Sequence, residues 1–179
     1  MKLLNFEFKA RLKDEPRVRE VLKRLGARFV GTDHQIDTYF RVPSGRLKVR
    51  EGRIENALIF YRRSNVHRPR QAAVEMMLLP RRNSLRAILA RALATLAVVD
   101  KRREIYFVKN VKIHLDRVRQ LGKFIEVEAI SRTGDVKKIG SRARQFQKLF
   151  GITAKDIVAE SYSDLILAKG LGTRMKGFS

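Results

Sequence analysis

Glu126 and Glu128 stand two residues apart in the run Phe124-Ile125-Glu126-Val127-Glu128. In a strand the side chains alternate between faces, so both carboxylates project one way while Ile125, Val127 and Ala129 project the other. Two carboxylates this close repel unless a cation, usually a metal, lies between them. The N-terminal run Asn5-Phe6-Glu7-Phe8-Lys9 repeats the pattern, with Glu7 and Lys9 on one face and Phe6 and Phe8 on the other. Further on, Arg46-Leu47-Lys48-Val49-Arg50 sets three cations on one face, and Lys112, His114 and Asp116 share a face opposite Ile113 and Leu115. Lys101 and Arg103 have the same spacing. Acids and cations together suit the chemistry of a phosphate chain and a divalent metal. The plain alternative is that these are the wet faces of an ordinary antiparallel sheet.

The totals narrow the choice. At 179 residues the chain is expected to form one domain over residues 1–168, followed by a basic, Gly-rich tail over 169–179 that is expected to be disordered. There is no cysteine, which excludes a disulfide framework, a thiolate metal site and a catalytic thiol. No signal peptide is expected, because Met1-Lys2-Leu3-Leu4 runs into Asn5 and Glu7. The apolar stretch 87–99 contains Arg91, so no membrane span is expected and a cytoplasmic protein is the default. Forty Lys and Arg against eighteen Asp and Glu leave a formal charge of +22. A balance this basic expects a polyanion. Cations spread over the outside would favour nucleic acid; cations lining a cavity would favour a small phosphate ligand.

The elements that must position these residues follow from periodicity. A strand over 3–12 leads to a helix opened by Asp14-Glu15-Pro16 and closed by Gly26, with Val18, Val21, Leu22 and Leu25 as its stripe. Strand-like runs at 27–30, 35–42, 46–50 and 58–63 follow, the last two joined as a hairpin by a turn over 52–56. After a polar loop at 64–70, residues 71–79 form a strand with Glu75 on the face of Gln71 and Ala73. Asn83 or Ser84 caps a helix whose stripe of Leu85, Ile88, Leu89, Ala92, Leu93 and Leu96 is expected to be core. Strands at 101–108 and 111–117 precede the glutamate strand. Helices at 136–150 and after Thr153, where Asp156 has capping-box spacing, complete an α+β chain of about eight strands and four helices. The amphipathic helices need apolar surface, and the strands' apolar faces are its main source. The charged faces then form either one wide wet surface or the inside of a closed antiparallel barrel, which would also remove the exposed edges. Alternation alone fits both a closed tunnel and an open curved sheet.

Taken together, the motifs resemble the CYTH-domain family of triphosphate tunnel metalloenzymes, on the branch called class IV adenylyl cyclases. The matching pieces are Glu7-x-Lys9, Gln35-x-Asp37-Thr38-Tyr39-Phe40, Gly45-Arg46-Leu47-Lys48-Val49-Arg50, Tyr61-x-Arg63 and Lys101-x-Arg103. They continue with Lys112-Ile113-His114-Leu115-Asp116, Leu121-Gly122-x-Phe124-Ile125-Glu126-Val127-Glu128 and Ser161-Tyr162-x-Asp164-Leu165. The resemblance implies an eight-stranded antiparallel closed β-barrel or tunnel with amphipathic helices packed outside. It implies Glu7, Glu126 and Glu128 as catalytic ligands of Mg²⁺ or Mn²⁺. It implies Lys9, Arg46, Lys48, Arg50, Arg63, Lys101, Arg103 and Lys112 as cations on the phosphates, with Glu75 and Asp116 as further acidic groups. Oxygen ligands suit both metals. Asn5 stands where the family's first glutamate would be, which lowers the negative charge open to a second metal. Lys112 stands where arginine is commoner, giving a point charge in place of a bidentate fork.

The leading functional expectation is a class IV-type adenylyl cyclase, in which the ribose 3′-OH of ATP attacks the α-phosphate and pyrophosphate leaves. The alternative in the same site is a triphosphatase, in which water attacks the terminal phosphorus of an inorganic, nucleoside or thiamine triphosphate. A reading of another class is a non-catalytic module for polyphosphate or RNA ends, supported by the net charge and the basic loop His67-Arg68-Pro69-Arg70. Nucleic acid is not the favoured partner, and a homodimer is compatible with the sequence. His34, His67 and His114 have no partner at metal-ligand spacing, and His114 is read as lining the cavity. Tyr162 is read as packing at, or plugging, one tunnel end.

Overall fold

The computed structural model describes residues 2–62, 70–131 and 136–172. Arg63, the basic loop as far as Pro69 and residues 173–179 of the tail lie outside the described residues, and the side chains of Asn5 and Arg70 are not among those described.

Eight strands and four helices follow one another as β1 (Lys2–Arg11), α1 (Glu15–Arg24), β2 (Arg28–Phe40), β3 (Arg46–Glu51), β4 (Ala57–Arg62), β5 (Arg70–Leu78), α2 (Leu85–Ala92), β6 (Thr95–Val108), β7 (Val111–Val118), β8 (Gly122–Ser131), α3 (Val136–Leu149) and α4 (Tyr162–Ala168). A single 3₁₀ turn, Ala154–Asp156, precedes α4. The strands close into a barrel in the order β1-β5-β4-β3-β2-β6-β7-β8, with β8 returning to β1. The pairings around the ring are antiparallel. Closure answers the choice left open by alternation: every strand has two neighbours, so the charged faces curl inward around a bore.

The apolar outer faces of β1, β7 and β8 form the main core. Phe8, Ala10, Ile113, Leu115, Ile125 and Val127 pack there against Val18, Val21 and Leu22 of α1 and Ile139, Ala143 and Phe146 of α3. Each large side chain so buried contributes about 1.5–3 kcal/mol. Helix α1 starts where the Asp14 carboxylate accepts from the Arg17 backbone N–H at 3.0 Å, has Pro16 in its first turn, and carries Lys23 and Arg24 in its last. Helix α4 works differently. Its Tyr162 and Ile166 pack against Tyr39, Ala97, Val99, Val118 and Phe124, which face into the barrel, so α4 stoppers one end of the bore.

Three elements depart from the periodicity reading. Strand β2 is continuous from Arg28 to Phe40: the residues between the two expected runs include Asp33, which is fully buried, and a bulge between Phe29 and Gly31 absorbs the irregularity. Helix α2 ends at Ala92 with Leu93 extended, so Leu96 belongs to β6. Its stripe is not core: no α2 residue is buried and Ile88 is 56% exposed, because α1 and α3 already cover the apolar faces of β1, β7 and β8. Thr153 and Asp156 do form a capping box, but on the 3₁₀ turn; α4 has a second box from Ser161 and Asp164.

Candidate functional site: a charged bore with one apolar wall

The bore encloses a cavity of about 680 Å³. Among the described residues, eight Lys and Arg side chains and five carboxylates line it. They are arranged by register. Glu7 lies directly across from Glu128, and Lys9 across from Glu126, on the β1–β8 pair. His114 is across from Glu126, and Lys112 across from Glu128, on the β7–β8 pair. Three adjacent strands therefore bring Glu7, His114, Glu126 and Glu128 to one wall.

That wall fits a divalent cation. Ligand atoms of His114, Glu126 and Glu128 lie within 4.8 Å of one another. His114 is 1% exposed, its Nδ1 is 3.7 Å from both carboxylates, and neither ring nitrogen has a hydrogen-bond partner. A buried imidazole without partners is costly unless something meets it. Burial, with Arg103 nearby, pulls the His114 pKa down to about 3, so the ring is neutral and able to ligate. Burial, reinforced by Glu7 and Glu126, pushes Glu128 up to about 7. Like charges directly opposite one another on paired strands destabilise, and a cation between them removes the conflict. The donor set is mixed carboxylate and imidazole, which divalent metals of the first transition row accept readily.

The facing wall is cationic but internally paired. Asp37, 1% exposed, accepts from Lys48 at 2.8 Å, Lys101 at 2.7 Å and, through both carboxylate oxygens, from Arg50 at 2.8 and 2.9 Å. Burial alone would raise its pKa, but Arg50, Lys101 and Lys48 together hold the carboxyl well below the usual range. Burial also pulls Lys101 down to about 7, with Asp37 opposing the fall. Arg103 Nε donates to Asp116 at 2.7 Å, and its Nη2 reaches both Asp116 and Glu126. The Tyr162 hydroxyl donates to Asp116 at 2.8 Å, tying α4 to this network. Lys9 donates to the Glu160 carbonyl and lies 4.3 Å from the centre of the Tyr162 ring.

The remaining wall carries almost no charge. The inward positions of β4 and β5 are Ala57, Ile59 and Tyr61 and, opposite them, Leu78, Met76 and Val74. Ile54, from the turn before β4, Phe107 of β6 and Ile130 of β8 also line the cavity.

Of the residues expected in the site, Glu7, Lys9, Lys48, Arg50, Lys101, Arg103, Lys112, Glu126 and Glu128 line the cavity. Arg46 does not: it is bound to Asp164 of α4 at 2.8 Å, beyond the cavity at the stoppered end. Glu75 turns outward and is exposed, because Val74 and Met76 take the inward positions of β5. Asp116 is an interior partner of Arg103. Arg63 lies outside the described residues. Periodicity missed the pairing role of Asp37, although its motif was visible, and missed Glu55 altogether, since that residue sits in the β3–β4 turn and reaches the bore from there. His114 was readable as inward-facing on alternation; its meeting with Glu126 depends on strand order.

The closed eight-stranded barrel with a charged bore defines the class, and the chain matches the CYTH domain over residues 3–162. It belongs to the CYTH domain family. It is 25% identical over 173 residues to "Putative adenylate cyclase MJ0240" of Methanocaldococcus jannaschii, covering 91% of this chain and 98% of that protein. The PH1012 protein of Pyrococcus horikoshii has the same fold, with a TM-score of 0.77 at 22% identity over 90% of this chain and 98% of its own. The Hippeastrum protein HpAC1, an adenylyl cyclase by name for which a dominant triphosphatase activity is described, has a TM-score of 0.60 at 14% identity over 93% of this chain and 96% of its own. Among the described residues no helix is long and apolar enough to cross a membrane.

Proposed function

We propose that this chain is a divalent-metal-dependent enzyme acting on an organic triphosphate held in the bore. The observation that carries the proposal is the convergence of Glu7, His114, Glu126 and Glu128 on one wall with Lys48, Arg50, Lys101, Arg103 and Lys112 around the same cavity. Glu126 and Glu128, with His114 and Glu7 beside them, would hold Mn²⁺ or Mg²⁺. When bound, the ion supplies charge neutralisation and polarisation of phosphoryl oxygens.

The chain's own residues supply the rest. Lys48, Arg50 and Lys101 grip phosphate oxygens while Asp37 holds their heads in register, so the clamp is ordered before substrate arrives. Asp37 cancels one of those three charges and leaves a surplus for the ligand. Arg103 is positioned by Asp116 and Tyr162 to reach a phosphate between the two walls. A volume of this order suits a small organic ligand. The apolar inward faces of β4 and β5 favour a substrate with a base or other ring over inorganic tripolyphosphate, which has nothing to bury there.

The reaction assigned first is cyclisation. The 3′-oxygen of ATP forms a bond to the α-phosphorus as the hydroxyl proton passes to water, the bond from that phosphorus to the bridging oxygen breaks, and the cationic clamp retains the departing pyrophosphate. The name of the Methanocaldococcus relative supports this. Hydrolysis is the second reading, favoured by the activity described for the Hippeastrum neighbour; there water attacks the terminal phosphorus, the bond from that phosphorus to its bridging oxygen breaks, and orthophosphate and the diphosphate leave. Incubation with ATP, GTP, thiamine triphosphate and tripolyphosphate, each with Mg²⁺ or Mn²⁺, separates the two. Cyclic nucleotide with pyrophosphate identifies the cyclase and orthophosphate the hydrolase. No turnover and no metal-dependent binding of any of the four would overturn the proposal.

A further inference from the structure

Glu55 has no part in the reading above, yet it occupies the bore. Its carboxylate accepts from Arg50 Nη1 at 2.9 Å and Gln35 Nε2 at 3.1 Å, and it is bonded to Lys112. Residues 52–56 join β3 to β4, whereas Lys112 is on β7, nearly half a turn away around the barrel order. The Glu55–Lys112 pair therefore crosses the bore. It does so toward the open mouth, because α4 stoppers the other end and the exposed Leu78 and Arg81 rim this one.

The turn that carries Glu55 is anchored. Asp33, fully buried, accepts from the backbone N–H groups of Arg53, Ile54 and Glu55 at 2.6, 3.1 and 3.0 Å. Asn56 bonds both the N–H and the carbonyl of Gly52. A Cβ at Gly52 would meet the Asp33 carboxylate at 2.6 Å, so glycine is required for this close approach. A turn fixed this way cannot withdraw Glu55 from the bore; only the side chain can move.

We propose that Glu55 is a specificity-determining crossbar: a resident carboxylate that occupies a phosphate's place on Lys112 and Arg50 and limits how much polyanion the bore accepts. A short phosphate chain displaces the side chain from Lys112 and stops there, whereas a longer one meets the displaced carboxylate, which the anchored turn keeps inside the bore. This rests on the reading of the bore as a triphosphate site. Removing the charge should tighten binding, since Lys112 and the Nη1 side of Arg50 would face the ligand without Glu55 as competitor, Asp37 still holding the rest of Arg50.

The test is calorimetric binding of inorganic tripolyphosphate, at salt high enough to screen surface cations, to the wild type, Glu55→Gln and Glu51→Gln. Glu51 is paired with Arg86 outside the bore, so its variant makes the same change in net charge elsewhere. Glu55→Gln is expected to bind about tenfold more tightly and Glu51→Gln as the wild type does. Equal or weaker binding by Glu55→Gln, or equal tightening by Glu51→Gln, overturns the crossbar and leaves the triphosphate reading standing. Absence of binding by all three overturns the crossbar as well, while the organic-triphosphate reading stands or falls on ATP, GTP and thiamine triphosphate with metal. Should Glu55→Gln fail to fold, the wild type decides: the Glu55 carboxyl ¹³C resonance shifts on addition of tripolyphosphate, and an unmoved resonance rejects the proposal.

Discussion

Arg103 illustrates how a residue expected to hold substrate also holds the protein. Its guanidinium is 2% exposed and serves two carboxylates, Asp116 and Glu126. Arg103→Ala would leave the buried Asp116 and the half-buried Glu126 without this cation, so we expect a loss of about 3–5 kcal/mol of stability, the range for breaking a buried pair. Urea unfolding measures this, and an unchanged midpoint would reduce Arg103 to a substrate contact. Glu128 should behave in the opposite way. It faces Glu7 directly and crowds Glu126, so without metal Glu128→Gln should match or exceed the wild type in Tm. Addition of Mn²⁺ should then raise Tm in the wild type and not in the variant; equal metal-induced shifts would remove Glu128 from the ion. These roles were half legible in the sequence. Alternation put Glu126, Glu128, His114 and Arg103 on inward faces, but the pairing of Arg103 with Glu126 crosses from β6 past β7 to β8. No one-dimensional pattern encodes that.

At the scale of elements, capping signals read locally were sound while their extent was not. The Thr153–Asp156 spacing produces its hydrogen bonds, from Thr153 N at 2.9 Å and Thr153 Oγ1 at 2.6 Å, yet the chain makes only a 3₁₀ turn before re-extending along β1. The competing interaction is backbone pairing: Val158 N–H donates to the Lys9 carbonyl at 2.8 Å, and Ile157 bridges Ala10. Helix α2 failed for the converse reason, since its clean apolar period says that a face exists and not that a partner reaches it. Asp156 gives a pH test of the local box. Lys13 first, and then Thr153, hold its carboxyl at about 2, below the usual value. A depressed carboxylate stabilises the fold fully above its unfolded pKa and loses that contribution as pH falls through the folded one. Asp156→Asn should therefore cost about 1 kcal/mol at neutral pH, as lost caps do, with the gap to wild type constant above about pH 4 and closing toward pH 2. Chemical denaturation across that window tests it; a gap that persists at pH 2 would show that the carboxylate's charge is not the source.

At the scale of the whole molecule, the +22 charge splits into two populations with different physics. Inside the bore the eight described cations face five carboxylates, and Asp37, Glu55 and Glu126 already pair most of them, so the interior carries only a small surplus. Most of the forty basic side chains therefore lie outside the cavity, which by itself would favour adhesion to nucleic acid. Their binding would release condensed counterions, and affinity would fall steeply as salt rises. Enclosed charges are screened far less, because mobile ions share little of the space around them. The two behaviours can be read in one titration. Binding of a single-stranded RNA should collapse between low and moderate salt and should not need metal. Binding of ATP with Mn²⁺ should fall only weakly over the same range, and it should be lost in Glu126→Ala, which leaves the RNA arm unchanged. If the ATP arm tracked the RNA arm in slope and in metal independence, the triphosphate would be held by the outer cations, and the bore would have no claim on it.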